Sequence, residues 1–176
     1  ARVTEALDRV GLNVQKNADR SPFDLSGGQR RRAAIAGVLA MRPETLILDE
    51  PTAGLDPRGR EMVMQLVENQ HRDCGTTIVL VTHDMDSAAR YADRIVVMNQ
   101  GKIAMDGAPR EVFARAEDLL ALGLGVPAVT RLALLLNKRG FDLPLDIFDI
   151  DTLAGRIAEA VGRRSDNAEK EGGARD

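Results

Sequence analysis

Cysteine, histidine and long apolar runs are all scarce in this chain. Cys74 is the only cysteine, so no internal disulfide framework can form, and that fits a reducing compartment. The two histidines, His71 and His83, stand far apart and make no zinc site with one cysteine. The longest uninterrupted runs of large apolar side chains, such as Ile78–Val81 and Leu134–Leu136, are far too short to cross a bilayer. Charges scattered through Ala1–Arg9 leave no apolar stretch of the kind a signal peptide needs. Positive charge is not in surplus either. The 24 Lys and Arg against 27 Asp and Glu give a net charge of -3, which argues against a nucleic-acid-binding chain. Together these absences predict a soluble, intracellular protein, with no direct membrane insertion, that serves a membrane only through a partner.

What is present is enough for a core. The 176 residues are 44% hydrophobic and 29% charged, close to the globular norm, and leave room for one domain plus an appendage. Val3, Leu7 and Val10 fall at helical spacing before Gly11. No methionine precedes them, so the chain is expected to open inside something longer. A polar loop, Asp24–Gly28, leads into a helix from Gln29 to about Ala40, which Arg42-Pro43 ends. Thr45–Leu48 reads as a strand buried on both faces of a parallel sheet. A loop over Pro51–Pro57, a helix from about Gly59 to His71, a second strand Thr76–Val81 and a helix around Met85–Tyr91 follow. Arg94–Met98 and Lys102–Met105 flank Asn99-Gln100-Gly101, predicting an antiparallel hairpin at the sheet margin. The fold class is therefore α/β. After Pro109 the pattern turns helical, with helices from Pro127 to Arg139 and over about Asp151–Val161, and a disordered tail over Arg163–Asp176.

Three short segments carry candidate chemistry. Leu25-Ser26-Gly27-Gly28-Gln29 places a serine and two glycines at a helix start, where free backbone N–H groups and the helix dipole suit a phosphate. On these five residues alone, an ordinary helix cap with a tight glycine turn is an equally good reading. Asp49-Glu50 lies at the carboxyl end of a strand, where ligands of open α/β sheets bind. One carboxylate there can support magnesium while the other orients water, although an isolated Asp-Glu pair is more often a solvated strand end. His83 ends the second strand and can donate a hydrogen bond to a terminal phosphate or hold an attacking water; a lone histidine is more often satisfied by backbone. Asp56 reads as a helix cap or a turn residue, and standing alone it points to no function. Arg30-Arg31-Arg32 point in different directions from a helix start and are expected on a solvated or partner-facing surface.

Their order adds what each lacks. Leu25–Gln29, then Leu46-Ile47-Leu48-Asp49-Glu50-Pro51-Thr52, then Gly54-Leu55-Asp56, then Val81-Thr82-His83-Asp84 resembles the ABC-type ATPases over about Ala1 to Gly107. Leu25–Gln29 is similar to the family signature, Leu46–Glu50 to the Walker B strand, Gly54–Asp56 to the D-loop, and His83 to the switch histidine. Ala36–Pro43, Met98–Lys102 and Gly125–Val129 with Leu132-Ala133 resemble the energy-coupling factor (ECF) importer ATPases of cobalt- and vitamin-importing systems. The region after Pro109 is similar to their C-terminal extension, which helps pair two ATPase subunits.

The resemblance implies four parts: the end of a helical subdomain with the signature (1–42), an ATPase core part (43–107), a helical extension (108–162) and the tail (163–176). It implies ATP and Mg2+ as cofactors. A second ABC ATPase subunit, identical or related, would be one partner and a transmembrane importer subunit another, with no nucleic acid. The location would be cytoplasmic, peripheral on the inner face of the cell membrane. Ser26, Gly27, Gly28 and Gln29 would bind the γ-phosphate held by the partner chain, and Asp56 would cross the interface. Asp49 would support magnesium, Glu50 would be general base and His83 would contact the γ-phosphate.

No Gly-x-x-x-x-Gly-Lys-Ser/Thr run occurs in the 176 residues, so the family's ATP-binding half is expected to lie elsewhere and the chain alone to be inactive. Two alternatives follow: a non-catalytic module that donates its signature loop or C-terminal helices to a partner, and a soluble ABC ATPase of DNA repair or translation.

Overall fold

Two apolar helical faces build the first core. Helix α1 (Arg2–Arg9) turns Ala6 inward, and Val10 and Leu12 follow it around Gly11, whose φ of 67° ends the helix. After the single turn α2 (Val14–Asn17), helix α3 (Gly27–Leu39) presents Ile35, Ala36 and Leu39 to the same core. The computed structural model describes residues 2–17 and 20–172, with side chains through residue 163.

Strand β1 (Thr45–Asp49), helix α4 (Pro57–Cys74) and strand β2 (Thr77–Val81) form one βαβ unit. The strands pair in parallel from Thr45↔Thr77 to Asp49↔Val81. Asp56 caps α4, Pro57 takes its first position and Gly75, at φ 66°, closes it. Leu46, Leu48 and Ile78 pack into the core with Val63 and Leu66 of α4. The opposite face is open: Ile47 is 69% exposed, Val81 51% and Val79 44%. This corrects the expectation of a strand buried on both faces, because a wholly apolar strand does not reveal which of its faces is covered.

Packing places residues 1–82 in one compact unit and 83–176 in another. The second begins with α5 (Met85–Tyr91), β3 (Ile95–Asn99) and β4 (Lys102–Gly107). Gln100 (φ 49°) and Gly101 (φ 74°) supply the two left-handed positions of a tight hairpin turn. The hairpin is a two-stranded sheet of its own, not the margin of the parallel sheet. Its inner residues Val97 and Met105 are committed to a core with Ala89, Val112, Phe113 and Leu119. That core includes α6 (Pro109–Ala114) and α7 (Ala116–Ala121), so hairpin and helices pack together across residue 107.

Helix α8 (Ala128–Asn137) starts just after Pro127 and is followed by Gly140 at φ 85°. It packs with Leu143 and with Leu153 of α9 (Ile150–Gly172). The backbone of α9 continues to Gly172, past the expected end at Val161 and into the segment expected as a disordered tail over 163–176. Lengthening an existing helix needs no new nucleus, and Ala168–Glu171 are strong helix formers. Residues 173–176 of that expectation lie outside the described residues.

Candidate functional site

Ser26 and Gln29 form a reciprocal cap at the start of α3. The Ser26 hydroxyl oxygen accepts the Gln29 backbone N–H at 3.3 Å, and the Ser26 N–H donates to Gln29 Oε1 at 2.9 Å. The capping reading is thus realised, and it leaves other donors at this helix start uncommitted to the cap. The hydroxyl only accepts here and still has a proton to give. The N–H groups of Gly27 and Gly28, at the first helical positions, have no partner within the helix. Nothing lies within 4 Å of where a Cβ on Gly27 would stand, whereas one on Gly28 would stand 3.7 Å from Leu55 Cδ2. The glycine loop therefore sits directly beside the Gly54–Asp56 turn.

Asp49 is the last residue of β1 and Glu50 the first beyond it. The Glu50 N–H donates to the Val81 carbonyl at 2.9 Å, extending the ladder by one bond. Glu50 then turns through φ 45°, a left-handed conformation that bulky residues avoid. Its carbonyl accepts the Ala53 N–H at 3.1 Å, and Leu55 N–H donates to Thr52 at 3.2 Å, so two successive turns carry the chain to Asp56. Pro51 and Thr52, within these turns, are buried. Gly54, at φ 73°, supplies the remaining left-handed position. Asp56 Oδ1 accepts the Gly59 N–H at 2.6 Å, and the Arg60 guanidinium donates to the Leu55 carbonyl at 3.0 Å.

The arginine run departs from its expected surface role. Arg30 is exposed, but Arg32 donates to the Val10 carbonyl at 3.1 Å. Arg31 Nε donates to the Pro51 carbonyl at 2.9 Å, and its Nη2 reaches the carbonyls of Asp49, at 3.4 Å, and Glu50. A signal for this was available, because Arg31 precedes the buried Ile35 by four residues and Leu39 by eight, which puts it near the inner face of α3.

His83 is exposed at the start of the second unit, directly before Asp84, which caps α5 through the Ser87 N–H (3.2 Å) and hydroxyl (2.9 Å). His71 Nδ1 lies 2.9 Å from the Thr76 carbonyl.

Among the described residues no cluster of three or more His, Cys, Asp or Glu could hold a metal by itself. Asp49, exposed at the strand end, fits the one protein carboxylate that a magnesium ion takes when phosphates and waters complete its shell. The candidate residues form an open surface rather than a pocket. A cavity of about 470 Å³ beside α7 and α8 and one of about 260 Å³ beside α1 include none of them. Among the described residues no helix is long and apolar enough to cross a membrane.

Residues 1–53 match the family described as ABC transporter. The chain is 48% identical over 160 residues to the energy-coupling factor transporter ATP-binding protein EcfA2 of Clostridium perfringens, covering 91% of this chain and 56% of that protein. It is 53% identical over 163 residues to the EcfA2 of Symbiobacterium thermophilum, with 93% and 56% covered. In three dimensions it is similar to cbiO1 of Clostridium perfringens, part of the ABC transporter complex cbiONQ, with a TM-score of 0.60 and 42% identity over 77% of this chain and 52% of that one. The chain thus spans about half the length of the curated relatives it matches.

Proposed function

The chain belongs to the ABC transporter ATPase family, and from that premise we propose that it acts in the energy-coupling ATPase of an ECF-type importer for a metal ion or vitamin. One observation carries this reading. The glycine loop capped by Ser26, the Asp49-Glu50 strand end and the Leu55-Asp56 turn are held against one another within a single unit, through Arg31 and through Gly28 against Leu55.

In the proposed cycle two ATPase chains close on ATP between them. Ser26, Gly27, Gly28 and Gln29 meet the γ-phosphate with outward N–H groups, a hydroxyl proton and the positive end of α3. That phosphate is carried by a P-loop, a motif these 176 residues do not contain. Magnesium, when bound, neutralises charge building on the phosphates. Asp49 offers the carboxylate that supports it. Glu50 accepts the proton of the attacking water as the new oxygen–phosphorus bond forms and ADP departs. His83 holds the γ-phosphate through a ring N–H. Asp56 reaches toward the partner chain. The assembly works as a cytoplasmic, peripheral subunit on the inner face of the membrane beside a transmembrane importer subunit, without nucleic acid.

For the 176 residues alone, the lack of a P-loop run favours a second reading, a module that donates its signature face without turning over ATP itself. The test of the catalytic assignment is Glu50→Gln in the P-loop-bearing ATPase. It is expected to keep ATP affinity and lose turnover by about 10²- to 10⁴-fold, and substantial hydrolysis by that variant would overturn the role.

A further inference from the structure

We propose that Arg31 is a positioning residue that sets the direction of the Glu50 side chain, an inference resting on the reading of Glu50 as the general base. Three consecutive carbonyls, of Asp49, Glu50 and Pro51, converge on one guanidinium. The Asp49 carbonyl, trans to the Glu50 N–H that bonds Val81, points away from β2, and just beyond it the chain turns through left-handed Glu50. A planar fork of donors suits such a cluster, and an ammonium, a single point charge, does not. On the other side, the Glu50 N–H is tied to the Val81 carbonyl at 2.9 Å. With its N–H held by β2 and its C=O held by Arg31 and Ala53, Glu50 keeps an unfavourable backbone conformation, and the direction of its Cα–Cβ bond is set.

The same clamp reaches the glycine loop. Arg31 lies five residues beyond Ser26 on one helix, so it locks the start of α3 to the loop that carries the catalytic carboxylate. Where a second chain supplies the opposing nucleotide, each chain contributes Ser26 to one site and Glu50 to the other. Arg31 then joins two sites through a single side chain, and a small displacement of α3 is transmitted to the water-activating group.

Arg31→Met and Arg31→Lys, compared with Glu50→Gln in the ATPase assembled with its P-loop, test this. Arg31→Met is expected to lower kcat per folded molecule by about 10- to 100-fold, the scale of a displaced reacting group, with KM for ATP almost unmoved. Arg31→Lys, which keeps charge and stem but loses the fork, is expected to fall between Arg31→Met and the parent. An arginine that only stabilises the fold would lower the melting temperature and leave kcat per folded molecule at the parent value. That result, or a loss confined to KM, overturns the proposal. If Arg31→Met does not fold, Arg31→Lys carries the comparison, and a parental kcat in it overturns the proposal equally. Glu50→Gln separates the two claims. If it is inactive while Arg31→Met turns over normally, only the Arg31 role falls; if it hydrolyses ATP freely, the general-base reading falls and takes the Arg31 role with it.

Discussion

Gly59 stands so close to Asp56 that a Cβ on it would lie 2.8 Å from Asp56 Oδ1, the oxygen that accepts the Gly59 N–H at 2.6 Å. A helix cap and a missing side chain are therefore one device. Gly59→Ala must displace the tip of the Asp56 side chain and loosen the cap, so it is expected to gain less than the roughly 1 kcal/mol by which alanine in a helix is favoured over glycine. The full gain in denaturant unfolding would contradict this account of the turn.

Asp56→Ala removes the cap of α4 and is expected to cost about 1 kcal/mol in denaturant unfolding. Asp56→Asn keeps an acceptor oxygen and is expected to keep most of that stability. If Asp56 also acts across a chain interface, the asparagine variant will be stable yet impaired in turnover. Full turnover in it would confine Asp56 to capping.

Ser26 offers a similar separation. Ser26→Ala loses both cap and hydroxyl, at about 1 kcal/mol of stability, whereas glycine at a cap costs only a few tenths. Both substitutions are expected to reduce turnover alike, since both remove the donor to the anion. Turnover that instead follows stability would reduce Ser26 to a cap.

On the hairpin, Arg94 makes a two-point pair with Asp106, at 2.7 and 2.6 Å, and holds the Asp106 carboxyl below its ordinary range. A carboxyl whose folded value is depressed contributes stability above its unfolded value and loses it as pH falls through the folded one. The contribution is therefore present at neutral pH and disappears in acid. In Arg94→Gln, NMR titration of Asp106 is expected to move upward toward an ordinary aspartate, and an unchanged titration would contradict the pairing. The pair is exposed, so salt is expected to weaken it.

The open face of the parallel strands makes a prediction about solution behaviour. Ile47 and Val79 are directly paired neighbours, 69% and 44% exposed, with Val81 beside them. Such a patch drives association in water. Ile47→Lys is expected to reduce self-association of the 176-residue chain in sedimentation, and equal association in parent and variant would place the sticky surface elsewhere.

The site was legible in the sequence where its geometry is local. Ser26 before a glycine pair and a helical run, and Asp49-Glu50 after a β-branched strand, announce a cap and a strand end within a few residues. The open face of Ile47 was not legible, because coverage of a strand face depends on distant chain. The hairpin strands were visible from Asn99-Gln100-Gly101, but their separation from β1 and β2 was not, since Val97 and Met105 are claimed by helices that follow. Arg31 was hidden by its neighbours. A run of three arginines reads as solvated, and only the spacing to Ile35 and Leu39 marks the one that turns inward.

Titration calorimetry of magnesium-ATP into the 176-residue chain tests most directly whether these residues supply catalytic groups without the phosphate cradle. The predicted result is no detectable binding, because Asp49 provides one ligand to the ion and the P-loop that holds the phosphates is not in this sequence. Stoichiometric binding would mean that the Ser26 loop and the Asp49-Glu50 strand end build a nucleotide site unaided, and would contradict the account of a site completed by a second, P-loop-bearing surface.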